Sequence, residues 1–470
     1  PLWISHQGPD KALLALVDVL NQAGDHGLRP NDYHVRSLEE YLALPRPGQL
    51  QLAELDVLAT LSMQFYAHDL SSGRHDPGAI DTNWQLDIAD HNWQRLLTMQ
   101  SPSAMVNALP DLAPQHADYR ALQRWMVYYQ ELNERNDDIQ IPPGELLMWG
   151  SREPRVALLR ARLQQLGELR DTGRSPNGSL FDRALEQAVR SFQRRHQLKA
   201  DGRAGTQTIA AMNVPVAERA EQIRINLERW RWLPAELEEQ RLWVDLTAYT
   251  LHMHLNGEHH SMRTVIGDTE HPTRVFRGEM TYLEVNPTWR VPQRIARELL
   301  LPQVKADRSY LQRNSYEVFS GWHSGAARLN PEDIDWTAIQ SDDLAYRFEQ
   351  LPNPGNAMGK YKFMFPNRNA IYLHDTPVQH HFSQTYRAHS AGCVRVEDPS
   401  FFANQLVANS LSGRDQLARA RRTSATTVIS LDQPLPIYLV YFTAALDAHG
   451  LPEFRSDVYE RDPLMRAAMR

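Results

Sequence analysis

The sequence predicts a multidomain α+β chain: a helical first section, a small three-helix module, and a mostly-β last section interrupted by an insertion. Three observations predict it. Apolar residues recur at helical spacing up to about residue 230, then alternate at strand spacing from Arg241 onward. A polar stretch with Pro142-Pro143 (133 to 145) separates the first section from the module. At 470 residues the chain has room for two to four domains of roughly 100–200 residues each.

In the first 130 residues Leu13, Leu16, Val17 and Leu20 mark one helix face, and Leu55, Leu58, Ala59 and Phe65 mark another between Leu52 and Tyr66. No chemistry stands out there, which makes this section a scaffold. In the module Val156, Leu159, Leu163 and Leu166 form one stripe, closed by a loop at 171 to 178. Leu185, Val189 and Phe192 form a second, and a third short helix opens near Thr206. In the last section Leu251, Met253 and Leu255 alternate with Thr250, His252 and His254. Asn256-Gly257 then reads as a hairpin, because both residues accept the positive φ of a type I′ turn. Further strands are expected at Thr281–Val285, Ala370–Leu373, Val428–Leu431 and Ile437–Thr443. About 65 residues between Val291-Pro292 and Asn356, with aromatic turns around Trp322, Trp336 and Phe348, break this β pattern as an inserted subdomain or lid would.

The hydrophobic share of 42% and charged share of 23% are those of an ordinary globular protein. A net charge of −7 gives no support to nucleic-acid binding. No run of 18 uncharged apolar residues is present to span a membrane. The chain begins at Pro1, which suggests a processed form or fragment from which an N-terminal signal or anchor is missing. A single cysteine in this length points toward an oxidising compartment. His259-His260 and His380-His381 are adjacent pairs whose members point to opposite faces of a strand, and neither HExxH nor CxxC occurs, so no metal is expected.

That cysteine, Cys393, lies in HSAGCVRVEDP, on a glycine turn that leads into a short strand. A thiol becomes a nucleophile when a neighbour takes its proton and access is kept. The best candidate neighbour is His374, at the end of the strand in AIYLHDTP and 19 residues upstream, one loop away. His389, four residues before the cysteine, competes for the role. Cys393 and Arg395 share a face while Val394 and Val396 take the other; Asp398-Pro399 is a helix start with Asp as N-cap. Backbone N–H groups of the Gly392 turn can converge as an oxyanion hole needs, and Arg395 can hold a carboxylate. A packed thiol beside an unrelated loop histidine would produce the same pattern.

His374-Asp375-Thr376-Pro377 followed by Ser390-Ala391-Gly392-Cys393-Val394-Arg395 resembles the active-site motif of L,D-transpeptidases with the YkuD catalytic domain. VNPTWRVP (285 to 292), GKYKFMFP (359 to 366) and AIYLHDTP are similar to the YcbB-type subgroup, and FDRALEQAVRSFQRRHQLKADGRAGTQTIAAMN to its peptidoglycan-binding-like module. The resemblance implies a scaffold domain (1–140), a binding-like module (145–213), a connecting helix (214–240) and a catalytic domain (241–470) with an inserted capsule at 292–356. It departs from the family at Ala391, where many members carry His, and in the shortness of the 171–178 loop.

What the resemblance implies for chemistry is a Cys393 thiolate that attacks the third residue of a peptidoglycan tetrapeptide stem and expels D-Ala. His374 would be the base, with Gly392 and Cys393 N–H groups at the oxyanion. Arg395, Tyr372 and Ser390 would bind the stem, with Trp289 as a cleft wall. An amine of a second stem, the acceptor, would resolve the thioester into a direct cross-link. Carbapenems would acylate the same thiol. No cofactor is implied. Other cell-wall enzymes are expected as partners, and nucleic acid is not. The expected location is the periplasmic side of a Gram-negative envelope, held to the inner membrane by an N-terminal segment absent from this chain. The alternatives are a Cys/His L,D-carboxypeptidase or endopeptidase and a non-catalytic cell-wall-binding scaffold.

Overall fold

The computed structural model describes every residue except 7, 87, 89–91, 136–137 and 170–177. The expected loop at 171 to 178 therefore lies, apart from Gly178, outside the described residues. The fold class is as expected: a helical N-terminal region, a small helical module and a mostly-β domain. Among the described residues no helix is long and apolar enough to cross a membrane.

The chain divides into two compact units, one of Pro1–Leu237 with Phe442–Arg470, the other of Glu238–Tyr441. In the first, Leu13, Leu16, Val17 and Leu20 are buried on the helix Lys11–Asn21, whose N-cap Asp10 accepts from the Ala12 N–H. The long helix Gln49–Ser72 buries Leu55, Ala59, Met63, Tyr66 and Leu70. Phe65, expected on that face, is 49% exposed instead, because the buried line advances through Met63 and Tyr66 and leaves position 65 outside it. The module is three helices, Pro154–Gln165, Arg183–Arg195 and Thr206–Met212, with all the stripe residues buried. The helix Val216–Arg231 follows, and its Asn226 accepts from the Thr443 N–H while Arg229 pairs with Asp462. These bonds explain why the tail Phe442–Arg470 packs with the first unit, whereas the expected catalytic domain ran through to 470.

The second unit is built on one sheet. Its strands lie in the order Ala388–Ser390, Glu258–Gly267, Val394–Val396, Leu373–His374, Tyr361–Met364, Phe276–Val285, Thr427–Val440, Arg241–Asp245 and Thr250–Leu255. The last of these also pairs with Glu258–Gly267, so eight strands close into a ring and Ala388–Ser390 is attached outside it. Closure runs through the expected hairpin, where Asn256 and Gly257 take φ of 57° and 77°. The two strands expected at 428–431 and 437–443 are one, with a register irregularity between Ser430 and Leu435. The strand expected at Ala370–Leu373 is confined to Leu373–His374, since Ala370 turns the chain at φ 52°.

Three strands of the insertion join Trp289–Arg290, just before it, in a four-stranded antiparallel sheet ordered Trp289–Arg290, Arg347–Gln350, Tyr316–Phe319 and Arg328–Leu329. Trp336 and Phe348 are buried against each other, with ring centroids 5.8 Å apart, and give it a core. Its entry helix widens to π geometry over Ala296–Leu300. Pro302 follows and has no N–H to give to the preceding turn, which is reason enough for the helix to widen there.

Candidate active site

Three short strands bring the predicted residues together. Leu373–His374 runs parallel to Val394–Val396, with Leu373 opposite Val394 and His374 opposite Arg395, and antiparallel to Tyr361–Met364, with Lys362 opposite His374. Phe363, Leu373, Val394 and Val396 are fully buried and point into the core. Alternation then turns Lys362, Tyr372, His374, Cys393 and Arg395 to the other face. The Val394 N–H donates to the Tyr372 carbonyl at 3.2 Å, which continues the register back to Tyr372 beside Cys393. The helix start downstream is as expected, with Asp398 accepting from the Phe401 N–H.

The cysteine is half-buried, and its Sγ lies 3.8 Å from the Ala370 carbonyl. Burial pushes the thiol above its ordinary range, while the Tyr372 phenol against the sulfur, Lys362 and Arg395 pull the other way. His374 is 3% exposed. Burial first, then the Arg395 guanidinium, hold its imidazole down at a pKa of about 3. Its Nδ1 lies 2.5 Å from the Asp375 carbonyl, which fixes Nδ1 as the N–H and leaves Nε2 as the basic atom. The resting pair is thus a neutral thiol and a neutral, oriented imidazole.

Asp375 itself was not singled out by sequence. Its carboxylate accepts from the Lys360 and Thr376 N–H groups, at 2.7 Å each, and so ties the His374 strand to the preceding turn. Gly359 permits this: at φ 58°, a Cβ there would sit 2.3 Å from the Asp375 carboxyl carbon. His389, the competing base, spends Nε2 on Gln384 and the Tyr386 carbonyl, at 2.9 and 3.2 Å.

Tyr372 is buried, with its ring edge-on to His374 at 5.7 Å, and burial keeps its phenol protonated well beyond the usual range. Trp289 is 8% exposed and lies beside that phenol. Arg395 has a buried Nε without an acceptor, and no carboxylate pairs with it among the described residues. Ser390, expected to bind substrate, uses its hydroxyl within the turn: it accepts from the Gly392 N–H at 3.2 Å and donates to the Cys393 carbonyl. Gly392 has φ 116°, a conformation open to glycine and strained for other residues. Among the described residues no group of three or more His, Cys, Asp or Glu is arranged to hold a metal ion.

Residues 239–427 match the family described as "L,D-transpeptidase catalytic domain" (YkuD). The second unit carries a YkuD-type catalytic domain. Residues 1–126 match a "Scaffold domain" and 152–212 a "Putative peptidoglycan binding domain", the combination found in YcbB-like chains. A Haemophilus influenzae protein called "Putative L,D-transpeptidase" is 29% identical over 255 residues, 53% of this chain and 50% of the relative. The chain thus spans about half the length of the curated relative it matches. Among solved structures, a Stackebrandtia nassauensis L,D-transpeptidase is 13% identical over 64% of this chain and 96% of its own, with a TM-score of 0.23. A fused Zn-dependent amidase/peptidase/peptidoglycan-binding protein of Clostridium acetobutylicum is 12% identical over 64% of this chain and all of its own, at 0.17.

Proposed function

We propose that the chain is an L,D-transpeptidase acting on peptidoglycan stem peptides from outside the cytoplasm, through a thioester on Cys393. The observation that carries this is the shared face of Tyr372, His374, Cys393 and Arg395, with a neutral imidazole whose Nδ1–H is spent on the Asp375 carbonyl.

In the first half-reaction Sγ attacks the carbonyl of the stem's third residue as His374 Nε2 takes the thiol proton. The C–N bond to D-Ala then breaks, and the same proton passes to the leaving amine. In the second, an acceptor amine attacks the thioester, its proton goes to His374, and the C–S bond breaks to restore the thiol. The oxyanion of both tetrahedral species would be met by the Cys393 N–H, joined by the Gly392 N–H once it releases Ser390. The unpaired Arg395 would accept a carboxylate of the donor stem, and the Tyr372 phenol would support the sulfur as charge develops. Ser390 and Trp289 shape the turn and the wall. Carbapenems, which are acyl donors, would label the same thiol.

Incubation with purified disaccharide-tetrapeptide, with products weighed, tests the reading. Dimer together with free D-Ala supports it. Tripeptide alone would make the protein a hydrolase, and unchanged substrate a scaffold. Cys393→Ala should lose both the product and the inhibitor adduct while staying folded.

A further inference from the structure

The turn before Cys393 is gripped from outside by two side chains that the chemistry above does not use. The Thr273 hydroxyl donates to the Gly392 carbonyl at 2.9 Å and accepts from the Gly267 N–H at 2.9 Å. Thr273 is fully buried. A hydroxyl has one proton, so with the amide donating to it, that proton must go to the carbonyl. The Arg294 guanidinium, on the entry helix of the insertion, donates to the Ala391 carbonyl at 3.3 Å. Glu298, one turn on, braces Arg294 at 2.7 Å.

The loop that carries Thr273 is pressed onto the turn. A Cβ on Gly267 would fall 2.1 Å from the His271 carbonyl and 3.1 Å from the Gly392 Cα. In a trans peptide the carbonyl and the N–H of the next residue point in opposite directions. Holding the Gly392 carbonyl therefore aims the Cys393 N–H the other way, and holding the Ala391 carbonyl does the same for the Gly392 N–H. Those are the two N–H groups a tetrahedral oxyanion at the Cys393 thioester would meet, the Gly392 N–H once it leaves the Ser390 hydroxyl.

We propose that Thr273 and Arg294 are positioning residues that aim the oxyanion-binding N–H groups of Cys393 and Gly392. Thr273 is a fixed clamp within the β domain. Arg294 is carried by the insertion, so the oxyanion site is fully formed only while the insertion stays seated on the turn. The inference rests on the thioester reading, and it is tested by two reactions of one thiol. Carbapenem acylation passes through an oxyanion; alkylation by iodoacetamide does not.

The variants are Thr273→Val, Thr273→Ser and Arg294→Met, each followed by intact-protein mass spectrometry, with far-UV circular dichroism as a check on folding. Removing an oxyanion donor costs about 10²–10³ in rate, and misaiming one should cost about 10–10². Thr273→Val should therefore slow acylation about 10–10²-fold while alkylation stays within about 2-fold, and Thr273→Ser should restore most of the loss. Arg294→Met should show the same split more weakly, since its bond is longer and more exposed. Equal losses in both reactions, no loss in acylation, or no rescue by serine would each overturn the proposal. A wild-type protein that alkylates but is never acylated by carbapenem or tetrapeptide would instead sink the thioester reading.

Discussion

The neutral state of the Cys393–His374 pair has a direct kinetic signature. A preformed thiolate–imidazolium pair would alkylate at a nearly constant rate across the neutral range. Here burial raises the thiol above its ordinary value of 9.0, and burial with Arg395 holds His374 at about 3. At pH 7 the thiol is then the resting form. Iodoacetamide alkylation should rise about tenfold per pH unit from 6 to 8, with no inflection near the usual histidine value of 6.5. His374→Ala should leave that profile nearly unchanged, because the imidazole is not the thiolate's counter-ion. Acylation should differ: in the proposed reaction His374 takes the proton as the carbonyl is attacked, and its loss should cost about 10²–10⁴ in rate at pH 7. His389→Ala, with its Nε2 already bound to Gln384, should lose little. The measurement is pseudo-first-order labelling by both reagents on wild type and the two variants over pH 5 to 9. A flat alkylation profile between pH 5 and 8, or one that collapses in His374→Ala, would refute the neutral pair.

Burial of neutral His374 should also appear in stability. Its folded pKa is depressed from 6.5 to about 3, so between those values the unfolded chain binds a proton that the folded one does not. Stability from this site is fully present above pH 6.5 and is lost as pH falls, by about 2 kcal/mol between 6.5 and 5. His374→Gln should flatten the pH dependence of the urea midpoint by that amount, and an unchanged slope would count against it. Gly359→Ala should depress acylation without touching any group at the thiol, because its Cβ displaces the Asp375 carboxylate that anchors the His374 strand; full activity in a folded variant would show that this anchor is dispensable. Deleting the helical module at 151 to 213 should weaken pull-down on isolated sacculi more than it slows reaction with a small soluble stem, and equal losses would contradict a wall-binding role. Replacing 292–356 by a short linker should raise hydrolysis relative to cross-linking, since a cover over the thioester excludes water; an unchanged product ratio in a folded variant would mean the insertion is not a lid.

The local parts of this site were legible in the sequence because they are set by neighbours along the chain. Alternation put Cys393 opposite in face to Val394 and Val396, the Asn256-Gly257 turn fixed a hairpin register, and Asp398-Pro399 marked a helix start; all three are as expected. Phe65 was misplaced because it lies one heptad beyond Leu58, itself only half-buried at the edge of the face that Leu55, Ala59, Met63 and Tyr66 bury. The short strand Leu373–His374 could not be told from a longer one, because the positive φ at Ala370 falls on a residue that gives no turn signal.

What stayed hidden is the support around the reactive pair, and the reason is distance along the chain. The Asp375 carbonyl that orients His374 is backbone, and every residue has one; only the fold selects it. Thr273 and Arg294 reach the Cys393 turn across 119 and 97 residues, and neither sits in a motif. Arg395 was legible as a cation near the thiol, but its want of a partner was not, because pairing depends on which carboxylates the sheet brings near. That want has a consequence for how the reaction would be driven. A guanidinium left unpaired and mostly buried is costly, and a substrate carboxylate that pairs with it relieves the cost on binding. Burial is the larger cause of the low His374 pKa; the same pairing would relieve the smaller one, the Arg395 charge, and make the imidazole a somewhat better base once the donor stem is in place. On the proposed mechanism, thiol and base would then be inert toward each other in the empty site and matched only in the complex.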